Sequence, residues 1–326
     1  MSWEVSISLN KNKNNLGQPP KPLVAILMGT KNGEQFLAEQ LDSLETQTHQ
    51  NWVLYASDDG SRDSTLSILD KYQTKWPDGK MIIRAGPQQG FCVNFLSLAC
   101  DPAIRADYYA FCDQDDVWLS DKLTVAIQNI LENQENALPY VYCGRTIYVD
   151  EELRKVGYSP LFTFPRTFRN ALVQSIAGGN TMVFNHDVKT LLERVGPVNH
   201  ISHDWWLYQL VTGVGGDVFY DPKPQLLYRQ HKDALIGGNT SIVARCQRIQ
   251  MVLQGQFRIW NDINIAILCS IKPLLSHGSQ ETLDLFKKMR SADLKDRFRL
   301  LEVTGLYRQT WRGTISLLFA ALLKKI

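Results

Sequence analysis

The chain has 326 residues, of which 44% are hydrophobic, 21% charged and 10% aromatic. That is ordinary globular usage, long enough for one large α/β domain with appendages or two modest domains, and it excludes fibrous and disordered classes. A net charge of +2 without any basic block excludes the electrostatic footprint of a nucleic-acid binder.

From Leu23 onward, short apolar runs alternate with amphipathic stretches, which predicts βα units around a mainly parallel sheet flanked by helices. The run LVAILM (23–28) leads into GTKNGE and a helix carrying Phe36, Leu37, Leu41 and Leu44; WVLYAS (52–57) leads into DDGSRDS and a helix carrying Leu66, Ile68, Leu69 and Tyr72. MIIRA (81–85) precedes a helix near Val93 to Ala99, and YYAFC (108–112) runs into DQDDVWLSDK and a further helix. A fifth strand near Tyr140 to Cys143 is expected to close this half. The stretch from Glu151 to Ala177, rich in Pro, Phe and Arg, reads as an irregular connection. After it come IAGGNTMVFN, the helical SHDWWLYQL and two short strands ending in LLYRQH. Past Ser241 the pattern is helical to the end, with no repeat. The resulting division is a flexible N-terminal segment (1–22), a first half (23–150), a second half of the same domain (151–240) and a helical C-terminal extension (241–326).

The opening stretch is polar and lacks the charged-then-apolar order of a secretory signal. The six cysteines, at 92, 100, 112, 143, 246 and 269, form no C-x-x-C pair and sit in apolar segments, as reduced thiols do. Both features lead to the expectation of a cytoplasmic protein. The tail TWRGTISLLFAALLKKI sets an apolar face between Trp311, Arg312, Lys324 and Lys325. An interfacial helix giving peripheral membrane contact has that pattern, and so does a core or dimer helix with a basic end.

In open α/β sheets ligands bind beyond the carboxyl ends of the strands, where the TKNGE, DDGS and DQDD loops would gather. Asp113, Asp115 and Asp116 crowd three carboxylates into four positions. A hard divalent ion such as Mg²⁺ or Mn²⁺, shared with phosphate oxygens, would relieve their repulsion; a solvated turn and helix cap is the plainer alternative. Thr30 to Gly33 and Asp58 to Ser61 are similarly open between tight turns and a nucleotide cradle.

In order and spacing, VAILMGTKNGEQFLAEQLDSL, SDDGSRDST and FCDQDDVW resemble glycosyltransferase family 2 over roughly residues 23 to 235. The resemblance implies a Rossmann-like GT-A fold, a nucleoside-diphosphate-sugar donor and inversion at the anomeric carbon. Carried over position by position, it implies Thr30, Asn32 and Glu34 at the nucleoside, with Asp58 or Asp59 accepting from the base. It implies Asp113 and Asp115 as the D-x-D pair, with Asp115 on the metal, Asp113 near the ribose and metal shell, and Asp116 in support of either. Asp204 matches the family's base at the start of a helix, although His203 stands where many relatives carry Glu. Gly178-Gly179-Asn180 resembles the small-residue segment at the acceptor pocket, beside Trp205, and His231 is a third metal or phosphate contact. Lys31, where relatives commonly have Tyr, is expected to point to solvent. The combination of NGE, DQDDVW and HDWW is similar to rhamnosyltransferases, which implies a dTDP- or UDP-linked rhamnose donor and a glycan or lipid-linked oligosaccharide acceptor. A sugar-nucleotide nucleotidyltransferase and a non-catalytic nucleotide-sugar-binding partner are the rival readings.

Overall fold

The computed structural model describes residues 21–133, 139–231 and 254–326. Most of the N-terminal segment, Ser241, Cys246 and the first part of the helical extension therefore lie outside the described residues.

Strand β1 (Val24–Thr30) is the pivot of a seven-stranded sheet. It pairs in parallel with β2 (Trp52–Asp58) on one side and β4 (Tyr108–Cys112) on the other, and β2 carries β3 (Met81–Ala85) outward. Alternation along β1 sends Ala25 and Leu27 into one core and Val24, Ile26 and Met28 into another on the opposite face. Each such fully buried aliphatic side chain contributes on the order of 2 kcal/mol. Helices α1 (Leu37–Glu45), α2 (Thr65–Lys75) and α4 (Lys122–Asn133) cover the second face; α1 buries Leu37, Leu41 and Leu44 at helical spacing. Helix α3 (Phe91–Ala99) belongs to the first face, through Phe95 and Leu96.

Strand β6 (Tyr140–Gly144) does not close the first half. It pairs antiparallel with β9 (Val183–Asn185) and parallel with β10 (Asp217–Asp221), and β9 is itself antiparallel to β4, so later strands are woven into the same sheet. The sheet remains mainly parallel, as expected, with β9 as the reversed strand. A second sheet joins β5 (Val117–Trp118), β7 (Ile147–Val149), β8 (Lys155–Tyr158) and β11 (Leu226–Arg229). The stretch read as irregular thus contains β8 and the one-turn helix α5 (Phe168–Ala171). Strand β11 is the expected short strand ending in LLYRQH, whereas β5, β7 and β8, two to four residues long, are too short for the alternation that identifies a strand in sequence.

Helix α6 (His186–Val195) follows β9 directly, capped by the Asn185 side chain, which accepts from Val188 N at 3.3 Å. Helix α7 (His203–Val214) is almost wholly buried on the first face. The C-terminal extension, α8 (Gln256–Ser270), α9 (His277–Ser291), α10 (Leu294–Thr304) and α11 (Trp311–Leu322), adds Leu268, Phe286, Leu301 and Leu317 to the same core.

Candidate active site

Thr30 and Asp58 are register partners at the ends of β1 and β2, and the Thr30 hydroxyl donates to Asp58 Oδ2 at 3.0 Å. Asp58 Oδ1 accepts from the N–H groups of Gly60 (3.1 Å) and Ser61 (2.8 Å), while the Ser61 hydroxyl reaches Oδ2. Four donors fill the acceptor capacity of Asp58. Asp59 spends one lone pair of each oxygen on Gln88 N (2.5 Å) and Gly90 N (3.1 Å), tying the loop after β2 to the loop after β3. Asn32, at φ +49°, accepts from Arg62 N at 2.9 Å, and Glu34 Oε2 accepts from Ser64 N at 2.9 Å. These predicted nucleoside residues therefore come together, and their side chains also stitch the first two loops to each other. Lys31 stays exposed, as expected, while its ammonium also donates to the carbonyls of Asp59 and Gly60, the latter at 2.9 Å.

The loop after β4 is clamped to the first loop by Gln114. Its Oε1 accepts from Lys31 N at 2.8 Å and its Nε2 donates to Lys31 O at 3.0 Å. The approach is so close that a Cβ on Gly33 would stand 2.3 Å from Gln114 Oε1. Beside this clamp, carboxylate oxygens of Asp113, Asp115 and Asp116 all lie within 4.8 Å of one another. Burial, reinforced by the charges of Asp115 and Asp204, pushes Asp113 up to about 8. Asp116 is raised as well, by burial and then by its two acidic neighbours, while N–H groups of Asn180 and Arg229 (3.2 Å to Oδ1) hold its two oxygens. Three mutually repelling carboxylates converging on one spot, Asp116 buried and Asp113 and Asp115 half-buried, fit a hard divalent cation such as Mn²⁺ or Mg²⁺.

Arg229, at the end of β11, is fully buried beneath this loop. Its Nε donates to Asp115 O at 2.9 Å, its other nitrogens reach Glu151 O and the Glu39 carboxylate, and its guanidinium lies 4.3 Å from the Phe36 ring centre. Two residues on, His231 Nε2 sits 2.9 Å from Asp115 Oδ2 and its ring 5.0 Å from Phe36. Lys122 is also fully buried, 3.5 Å above the Trp118 ring, and its ammonium has no hydrogen-bond partner among the described residues. Burial drags it down to about 7 even though Cys112, Asp116 and Asp113 favour its charge.

Asp204 stands in the first turn of α7, where the helix dipole favours an anion. Its Oδ1 accepts from the Ser202 hydroxyl and from Trp205 N at 2.5 Å, and the Gly179 backbone bonds the same carboxyl. Burial nevertheless raises its pKa. The Gly179 backbone bonds Asp204 while its neighbour Asn180 bonds Asp116, so one short turn links the base candidate to the acidic loop. His203 stacks on Phe95 at 4.1 Å and lies edge-on to Phe111 at 4.7 Å, and burial holds it neutral, down to about 3. A Cβ on Gly179 would come within 2.1 Å of His203 Nε2, so the glycine permits this close approach. Asn180 joins the site through its bond to Asp116. The Trp205 indole is buried in the core, donating to Ala171 O at 2.7 Å.

Sequence reasoning overlooked Gln114, Arg229 and Lys122. Gln114 lay inside the singled-out DQDD run, and a side chain that both donates and accepts among three carboxylates was a readable signal. Arg229 lay in the YRQH stretch that ends the last strand, but its burial, like that of Lys122, carried no local signal, since long cations are normally exposed.

The sequence matches the family model described as glycosyl transferase family 2 over residues 25–191. It is 29% identical over 244 residues to the dTDP-rhamnosyl transferase RfbG of Shigella flexneri, covering 71% of this chain and 81% of that one. It is 25% identical over 169 residues to the putative teichuronic acid biosynthesis glycosyltransferase TuaG of Bacillus subtilis, covering 51% of this chain and 64% of that protein, just under two thirds of its length. In fold it is similar to the mannosyltransferase PcManGT of Pyrobaculum calidifontis, solved with GDP-Man and Mn²⁺: TM-score 0.50 and 17% identity, over 94% of this chain and 87% of that one.

Proposed function

Since the chain belongs to glycosyltransferase family 2 and has the GT-A fold, we propose that it is an inverting, metal-dependent hexosyltransferase of surface polysaccharide biosynthesis. It moves rhamnose from a dTDP- or UDP-linked donor to a hydroxyl of a glycan or lipid-linked oligosaccharide. The observation that carries this reading is the cluster of the Asp113, Asp115 and Asp116 carboxylates after β4, linked to Asp204 at the start of α7 by Gly179 and Asn180, which bond Asp204 and Asp116 respectively. The likeness to a dTDP-rhamnosyl transferase supports the donor, and the likeness to a teichuronic acid enzyme supports the class of product. Five free cysteines among the described residues accord with a cytoplasmic setting.

In this reading Asp115, Asp113 and His231 hold Mn²⁺ or Mg²⁺. His231 Nε2 lies 2.9 Å from Asp115 Oδ2 and so would stand beside an ion held by that carboxylate. When bound, the ion neutralises the diphosphate as it leaves. Thr30, Asn32, Glu34 and Asp59 shape the nucleoside pocket; Asp59 keeps spare lone pairs for a base N–H, whereas Asp58, already filled, orders the loop. Asp204 takes the proton of the attacking hydroxyl. Its raised pKa strengthens it as a base, and the bonds from Ser202, Trp205 and Gly179 fix its orientation. Gly179 and Asn180 flank the acceptor, with Trp205 supporting that wall through its packing.

The test is nucleoside-diphosphate release from dTDP-rhamnose and UDP-sugars, with and without oligosaccharide acceptor, in Mn²⁺, Mg²⁺ or chelator. The expected outcome is acceptor-dependent release from dTDP-rhamnose that chelation abolishes. Full turnover in chelator would overturn the role of the acidic loop, and preference for another sugar would reassign the donor.

A further inference from the structure

Helix α11 is apolar on two opposite sides, and only one of them is covered. Leu317, Ala320 and Ala321 face the core. At 100° per residue, Trp311, Ile315, Leu318, Phe319 and Leu323 share an arc on the other side, and all are exposed; Trp311 is 63%, Phe319 64% and Leu323 59% accessible. Amphipathic helices of a globular protein place polar residues there.

The charges beside this stripe have one sign. Between Val303 and Ile326 the sequence has four cations, Arg308, Arg312, Lys324 and Lys325, and no acidic residue. Arg312 lies at the start of the helix, its guanidinium 5.2 Å from the Trp311 ring, and the two lysines lie at its end. Lys324 adopts a left-handed φ of +59°, and its N–H bonds Ala321 O at 3.1 Å while Lys325 N bonds Ala320 O at 2.8 Å. This closing turn fixes both lysines just past the stripe. The end is anchored from below, where Arg297 donates to Leu322 O at 3.2 Å and Arg290 to Ile326 O at 2.8 Å. The stripe is thus rigidly presented.

We propose that α11 is a membrane-docking helix that lies in the interface of an anionic lipid surface, with its apolar stripe among the acyl chains and Arg312, Lys324 and Lys325 on lipid phosphates. A tryptophan at one end and flanking cations suit that interface. The helix has 12 residues, too short to cross, and among the described residues no helix is long and apolar enough to span a membrane. A second copy of the chain is a poorer occupant. The exposed stripe offers roughly 500 Å², short of the ~800 Å² per partner of a stable dimer, and its cations would repel their own copies. The inference is independent of the assignments made for the acidic loop and Asp204.

The test is flotation of the full-length protein with vesicles of phosphatidylcholine alone or mixed with phosphatidylglycerol. Binding to the mixed vesicles is expected, weaker on neutral ones and weaker at high salt. Trp311→Ser/Phe319→Ser should weaken binding more than about tenfold. Lys324→Gln/Lys325→Gln should weaken it about thirtyfold on anionic vesicles only. Both pairs lie on the surface, so melting temperature and transfer to a water-soluble acceptor should hold. Wild-type protein that fails to float would overturn the proposal, as would undiminished floating of both variants. A concentration-dependent dimer in sedimentation velocity that Trp311→Ser/Phe319→Ser abolishes, without lipid binding, would assign the stripe to self-association instead.

Discussion

Titrating the divalent ion across pH tests the acidic loop directly, because binding must displace protons. With Asp113 pushed up to about 8 by burial and by the charges of Asp115 and Asp204, roughly nine-tenths of it is protonated at pH 7 without metal, half at pH 8 and a tenth at pH 9. A bound cation requires the ionised carboxylate and expels that proton. Calorimetric titration with MnCl₂ in two buffers of different ionisation enthalpy should therefore read about 0.9 proton released at pH 7, falling to about 0.1 at pH 9. Asp116, pushed in the same direction, can only add to this. The apparent Kd should fall about tenfold from pH 6 to 7 and level off above pH 8. The stability sign follows from a raised carboxyl: its contribution is complete below the unfolded value near ~3.9 and is lost as pH rises through about 8. The melting temperature of the metal-free protein should decline over that window from this group, and the upward shift on adding Mn²⁺ should grow. Asp113→Asn should lower the release and flatten the decline. A release below about half a proton at pH 7, or an undiminished one in Asp113→Asn, would refute the reasoning.

Asp204→Asn should lower transfer by about 10²–10⁴ while leaving donor-nucleotide affinity unchanged in equilibrium binding, and equal turnover would hand the base role to another group. Because burial raises Asp204, kcat in the wild type should fall as pH drops through that raised value, where the base becomes protonated; a profile flat on its acid side would contradict this. Arg229→Met leaves the Glu39 carboxylate and the carbonyls of Asp115 and Glu151 without their donor. With Glu39 half-exposed, the lost bonds to the two carbonyls dominate, so a loss of about 2 kcal/mol in denaturant unfolding is expected, and an unchanged midpoint would deny the anchoring role. Gly179→Ala forces His203 to shift, since the new Cβ would stand 2.1 Å from its Nε2. It should cost about 1–3 kcal/mol and reduce transfer with Mn²⁺ affinity intact, whereas loss of Mn²⁺ affinity would show that His203 supports the acidic loop.

The first four strands were legible because β1 to β4 are apolar runs of five to seven residues, each ending in a polar loop at the same edge. The acidic loop was legible for the same reason, with Asp113 to Asp116 directly following the buried YYAFC. What stayed hidden depends on long-range pairing. Strand β9 has three residues and runs against β4, so nothing local announces that it separates β4 from β6 or that it sets Asn180 against Asp116, 64 residues earlier. Lys31 stays exposed, as a lone surface lysine usually does, but its two bonds to carbonyls of the turn after β2 are of the same long-range kind.

These hidden contacts determine how the site tolerates its own charge. Asp115 and Asp204 act on Asp113, and Asp113 and Asp115 act on Asp116, and the nearby cations do little to offset them. Arg229 already pairs with Glu39, and Lys122 is held near neutrality by its burial, over the Trp118 ring. Without a bound ion, protons on Asp113 and Asp116 are the remaining means of relief, which is what their raised pKa values express. A divalent cation supplies the same relief without protonating the carboxylates. Meanwhile Gln114 bonds to the Lys31 backbone and Arg229 to Asp115 O, so the loop is fixed largely through backbone, with His231 as the side-chain contact of the Asp115 carboxylate. The scaffold therefore holds the acidic loop in place largely through its backbone, an arrangement that would leave the Asp113 and Asp115 carboxylates to a bound ion.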